Sequence, residues 1–219
     1  MKIDENQCRR NIVEVGKLLY DKKLLVSTDG NLSVRISENE VLITASGFCK
    51  GRLTPEQITK VDMEGNIISG LKPARDIQMH LTTYKTRPQA KAIVHAHPPI
   101  STGFAIAGFQ FDHVTLPEIL FSIGTIGVTD YAAPTTPDVP KVVAKKLWEC
   151  PTCEALILAN HGALTMGTDI MDAYYKMETL EMFLTATLVS KILGRENVLT
   201  ERQVKEVWSI KNGEIPEEE

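Results

Sequence analysis

The sequence has no run of apolar residues long enough to cross a membrane, which takes about 20 in succession. Its first residues, MKIDENQCRR, are too polar for a secretory signal, so a cytoplasmic location is expected. A dense basic run is also missing, and the formal net charge is −4, which makes nucleic acid a poor partner. A small anionic substrate stays open, because a local site can be positive on an acidic chain. Cysteine is scarce, with four residues, and only Cys150 and Cys153 are close, as CPTC. No second pair completes a structural zinc site, so free thiols are the default over a redox or metal pair. There is neither a repeat nor a linker, and residues 1–219 read as a single domain with enough length for a substantial core. Disorder is expected only at the acidic end, GEIPEEE.

Periodicity supplies the elements. Ile12, Val15, Leu18 and Leu19 recur at helical spacing within residues 5–24. The turn formers Thr28, Asp29, Gly30 and Asn31 precede two paired strands, 32–36 and 41–44. A second turn, ASGF, leads to a hairpin of 58–63 with 67–68. Residues 76–86 read as a helix with Ile77, His80, Leu81 and Tyr84 on one face, stopped by Pro88. KAIVHA reads as a strand, and Pro98 and Pro99 open a helix to about residue 107. The region 109–140 reads as loops with short strands, followed by a helix over 138–148. EALILAN and ALTMG read as strands on either side of the turn NHG. A long amphipathic helix, 169–194, ends at Gly194, and a last helix covers 200–211. Adjacent hairpins imply a largely antiparallel sheet.

The chemistry concentrates in AKAIVHAHPPIST. Residues two apart on a strand share a face, so His95 and His97 present their rings side by side. Alone, such a pair is more often two half-buried histidines bonded to backbone than a metal site. His161, at the end of a second apolar strand in ILANHGALTMG, shifts that balance. Three imidazoles with a fourth position open suit a catalytic zinc better than a structural one. Of the remaining histidines, His80 on a helix face reads as packing, and His113 sits in a loop.

Five motifs occur in order: GNLSVR, TASGF, KPARDIQMH, HAHP and ANHG. On these the chain resembles the class II aldolase/adducin family over about residues 5–195, closest in pattern to its L-fuculose-1-phosphate aldolases. The resemblance implies a three-layer α/β/α fold with a central, largely antiparallel sheet. It implies Zn²⁺ or another divalent ion such as Mn²⁺, Fe²⁺ or Co²⁺ on His95, His97 and His161. It also implies a homotetramer with active sites at subunit contacts. The implied reaction cleaves a ketose 1-phosphate, such as L-fuculose 1-phosphate, to dihydroxyacetone phosphate and a small aldehyde through a zinc-stabilised enediolate.

The resemblance also assigns residues. Asp76 stands where these aldolases carry a catalytic glutamate, one methylene shorter, which shifts its reach by about 1.5 Å. A helix N-terminal aspartate serving as a cap is the structural alternative. Gly30, Asn31, Ser46 and Gly47 match phosphate-binding positions, while Ala74 and Arg75 replace two serines, so a hydroxyl is lost and a guanidinium gained. Hairpin turns and an exposed arginine explain the same residues structurally. Glu118, in TLPEILFSIG, falls near the acid/base position that distinguishes reactions in the family. It equally reads as a solvated loop glutamate. Family members often close the site with a C-terminal tyrosine; the tail after Val198 has Trp208 and no tyrosine. Two alternatives stand beside the aldolase: a sugar-phosphate dehydratase or 4-epimerase on the same scaffold, motivated by Glu118, and a non-catalytic adducin-like interaction domain, opposed by the three histidines and Asp76.

Overall fold

The computed structural model describes residues 4–214; residues 215–219 of the acidic end lie outside them. Its strands are Asn31–Arg35 (β1), Glu40–Thr44 (β2), Ile58–Asp62 (β3), Ile67–Ser69 (β4), Ala92–Ala96 (β5), Ile126–Val128 (β6), Ala155–Leu158 (β7) and Gly162–Gly167 (β8). The helices are Glu5–Asp21 (α1), Ile77–Thr86 (α2), Pro99–Ala107 (α3), Pro117–Ser122 (α4), Asp138–Glu149 (α5), Ile170–Ile192 (α6) and Glu201–Lys211 (α7). All eight strands join one sheet in the order β4-β3-β2-β1-β5-β8-β7-β6. Every pairing is antiparallel except β6 with β7, where α5 provides the crossover that a parallel pair needs.

Strand alternation builds two cores. Leu32, Val34, Ala92, Val94, Ala96, Ile157 and Ala163 face α1, α3 and α6, which contribute Ile12, Leu19, Phe104, Met177 and Leu184. Val41, Ile43, Ile93, Leu156 and Leu164 face the other way, towards Met79, Leu81 and Tyr84 of α2 and Val143 and Leu147 of α5. The result is the expected three-layer α/β/α arrangement. Caps set two of the long helices: Asp4 accepts from the backbone of Asn6 and Gln7, and Asp169 from that of Asp172.

The elements differ from the expected ones in a few places. The first helix stops at Asp21, because the chain turns through Lys23 at a left-handed φ of +60°. The region 109–140 contains the helix α4 as well as loops and β6. Pro117 at its first position fixes a helical φ, and Ile119 and Leu120 bury against the core. Six residues are under two turns, too few to display a helical period.

Candidate functional site

The middle strands carry the histidines. His95 is the next-to-last residue of β5 and pairs in register with Asn31 of β1 and Leu164 of β8. His97 follows two residues on, with the same facing. His161 precedes β8 in a turn where Asn160 takes a φ of +57°, a left-handed conformation that asparagine tolerates. At Gly162 a Cβ would lie 2.6 Å from the His97 ring and 2.6 Å from the Ala96 carbonyl, so only glycine lets these segments approach. Gly30 has the same constraint, with a φ of +69° and a Cβ position 2.6 Å from the His95 carbonyl.

The three rings form a near-equilateral triangle, with centroids 4.9, 4.8 and 4.9 Å apart. One ligand nitrogen from each lies within 4.8 Å of the others. His95 is fully buried, and its Nδ1 is 2.9 Å from the Ala163 carbonyl. A carbonyl only accepts, so Nδ1 carries the proton and Nε2 keeps its lone pair, 3.2 Å from His97 Nε2. Burial holds His95 well below the usual imidazole range, and the neighbouring His97 and His161 push it further down. His97 and His161 are also lowered, chiefly by burial, against the opposing pull of Asp29 and Asp76. Three neutral imidazoles with converging nitrogens, one oriented by a backbone carbonyl, fit a divalent ion with an open coordination position.

That opening faces a cleft of about 210 Å³ lined by Gly30, Asn31, Ser46, Gly47, Arg75, Asp76, His97 and His161. Segments far apart in the sequence thus meet at the ends of the central strands. Asp76 occupies the N-cap position of α2 but makes no capping hydrogen bond among the described residues. Its Oδ2 instead accepts from Asn31 Nδ2 at 2.9 Å. A carboxylate that forgoes a cap contribution of about 1 kcal/mol is available for something else. Arg75 is exposed at the rim.

Glu118 sits in the first turn of α4, exposed, and is not among the described residues lining this cleft. Trp208 of α7 lines a separate pocket with Arg87, Cys153 and Lys176. The four cysteines are free, and burial pushes the Cys153 thiol up to about 12. His113 stands 3.6 Å from Glu196, away from the triangle.

Lys50, Pro134 and Thr135 are lining residues that the sequence reading missed, and Lys50 is the charged one among them. Lys50 is the one tied most closely into the site. It is 2% exposed, and its ammonium donates to the Thr28 carbonyl at 2.6 Å and the Phe48 carbonyl at 2.9 Å. It therefore ties the 28–31 turn to the 46–48 turn, and burial lowers its pKa to about 8. A lone lysine in a turn reads as solvated, and no local spacing marks it otherwise.

The profile of the Class II Aldolase and Adducin N-terminal domain matches residues 10–188. The chain is 33% identical over 201 residues to the 3-oxo-tetronate 4-phosphate decarboxylase of Haemophilus influenzae, covering 90% of this chain and 93% of that protein. It is 37% identical over 169 residues to the L-fuculose phosphate aldolase of Methanococcus maripaludis, covering 77% and 89%. Among solved structures, YgbL of Klebsiella pneumoniae superposes with a TM-score of 0.87 at 28% identity, over 94% of this chain and 99% of that one. With the histidine triangle, the antiparallel sheet and a profile match across most of its length, this chain belongs to the class II aldolase and adducin family.

Proposed function

We propose that the chain is a single-domain, metal-dependent carbon–carbon lyase acting on a small phosphorylated sugar. The reading rests on one observation: three neutral imidazoles and the non-capping Asp76 carboxylate meet over a cleft that also holds a buried ammonium and a rim guanidinium. The preferred reaction cleaves a ketose 1-phosphate to dihydroxyacetone phosphate and an aldehyde. We place it in the cytoplasm and in a homotetramer. No described helix is long and apolar enough to cross a membrane.

His95, His97 and His161 would hold a divalent ion, zinc on this reading, which would supply Lewis acidity to the substrate's carbonyl. Gly30, Asn31, Ser46, Gly47 and Lys50 bind the phosphate from inside the cleft. Arg75 closes on it from the rim, where a guanidinium can pair two oxygens. Asp76 exchanges the proton at the carbon that loses its bond partner. In aldol cleavage a second group must take the C4 hydroxyl proton. Glu118 is assigned that role, and since it does not line its own chain's cleft, it acts across a subunit contact.

Decarboxylation is the second reading, favoured by the near full-length match to the 3-oxo-tetronate 4-phosphate decarboxylase. The two reactions are chemically close. Losing carbon dioxide from a 2-hydroxy-3-oxo acid 4-phosphate leaves the same enediolate of dihydroxyacetone phosphate as losing an aldehyde from a ketose 1-phosphate. Asp76 serves both, whereas only the aldol reaction needs a base for a leaving hydroxyl.

Product analysis tests the proposal. Metal-loaded protein is incubated separately with L-fuculose 1-phosphate and with 3-oxo-tetronate 4-phosphate. Dihydroxyacetone phosphate with an aldehyde from the first supports the aldolase; the triose phosphate with carbon dioxide from the second supports the decarboxylase. A diketone, an epimerised but intact chain, or no product from either substrate overturns the lyase assignment.

Lys50→Met tests the anion site. Losing a charge-assisted hydrogen bond of about 1.5–3 kcal/mol raises KM roughly 10- to 100-fold, with a smaller change in kcat. An unchanged KM removes Lys50 from substrate binding.

A further inference from the structure

A chain of side chains runs from the core up to Asp76. Tyr84 Oη and Ser33 Oγ are 2.7 Å apart, and Ser33 Oγ lies 2.7 Å from His80 Nδ1. His80 Nε2 is 2.6 Å from Asn31 Oδ1, and Asn31 Nδ2 is 2.9 Å from Asp76 Oδ2. Tyr84, Ser33 and His80 are fully buried and Asn31 nearly so. Two elements supply all five residues. Asp76, His80 and Tyr84 are spaced by four along α2, and Asn31 and Ser33 by two along β1, so each set shares a face.

One direction of donation satisfies every atom. The ionised Asp76 accepts, so Asn31 gives it the amide N–H and must accept through its oxygen. His80 therefore carries its proton on Nε2 and accepts at Nδ1 from the Ser33 hydroxyl. Ser33 in turn accepts from Tyr84. All donors point towards the carboxylate, an order in which each hydrogen bond polarises the next. Burial keeps His80 neutral, with its pKa lowered to about 4, so no charge interrupts the series.

Packing alone does not account for this. An apolar side chain would fill the space under β1 without needing polar partners on both sides, and each unpaired buried group would be costly. Two carboxylates, Asp29 and Asp76, line the cleft beside the histidines, and the series ends on Asp76, which forgoes its helix cap. We propose that His80 is a positioning residue: through Asn31 it fixes the orientation of the Asp76 carboxylate, engaging Oδ2 and leaving the other oxygen for the substrate. This rests on the reading that Asp76 moves a proton in the reaction.

The test has two independent arms. Nitrogen NMR of the labelled full-length protein near neutral pH should show His80 as the Nε2–H tautomer. The Nδ1–H tautomer overturns the proposal. In metal-loaded protein, His80→Leu should lower kcat for hydrogen exchange into dihydroxyacetone phosphate about 10- to 100-fold, the usual cost of removing a group that orients a site residue. KM and metal content should hold. His80→Gln, whose amide can accept from Ser33 and donate to Asn31, should recover most of the loss. A folded His80→Leu protein with unchanged kcat overturns the proposal. If that variant does not fold, Tyr84→Phe and Ser33→Ala break the same series further out, and each should lower kcat several-fold at constant KM; unchanged kcat in both overturns it. If the wild-type protein turns over no sugar phosphate, the proposed function fails, and a crystal structure decides the positioning claim alone: an unmoved Asp76 carboxylate in His80→Leu, or in Ser33→Ala, overturns it.

Discussion

His95→Ala is expected to strip the protein of its divalent ion and, with it, of activity. His95 is the fully buried corner of the triangle, and its Nδ1–H is spent on the Ala163 carbonyl, so its Nε2, 3.2 Å from His97 Nε2, is the nitrogen left for an ion. Two remaining imidazoles, both partly exposed, hold a divalent ion far less well. Lewis-acid stabilisation worth several kcal/mol then disappears, about 10³-fold or more in rate. The fold should survive, since β5 keeps its ladders to β1 and β8 on both sides. Metal content by mass spectrometry, beside circular dichroism, is the check, and His161→Ala should behave alike. A variant that keeps one ion per chain and full turnover would remove the triangle from the mechanism.

Asp76→Asn is expected to separate chemistry from binding. An asparagine there still offers an oxygen to the Asn31 amide, so the local structure is kept. What is lost is a group that can take and return a proton, typically worth about 10²- to 10⁴-fold. kcat should fall by that much while KM and bound metal stay near wild type. Deuterium incorporation into dihydroxyacetone phosphate, followed by proton NMR, isolates the step at carbon. Normal exchange would mean that another residue carries the proton.

The parts of this arrangement that the sequence disclosed are those governed by short-range periods. His95 and His97 two apart on a strand, and His161 at the mouth of the next apolar run, follow from alternation alone. The hairpins β1–β2 and β3–β4 follow from turn residues between apolar runs. What stayed hidden depends on contacts between segments far apart in the chain. Lys50 reads as solvated until the 28–31 and 46–48 turns close around it. His80 reads as packing, and it does pack; its link to Asp76 passes through Asn31, 49 residues away. The short helix α4 lacked the length to declare a period, which is why Glu118 was expected in a loop.

The triangle is held by the two innermost ladders of an eight-stranded sheet, which are the last parts of such a sheet to open. Its shape is therefore set by the backbone ladders. In small zinc domains the ion brings its ligands together and folding waits for it. On the proposed reading a cation would meet ligands that the sheet already holds in place, and chelation is expected to empty the site without unfolding the protein. Metal availability would then set the rate of the proposed enzyme rather than decide whether its fold exists.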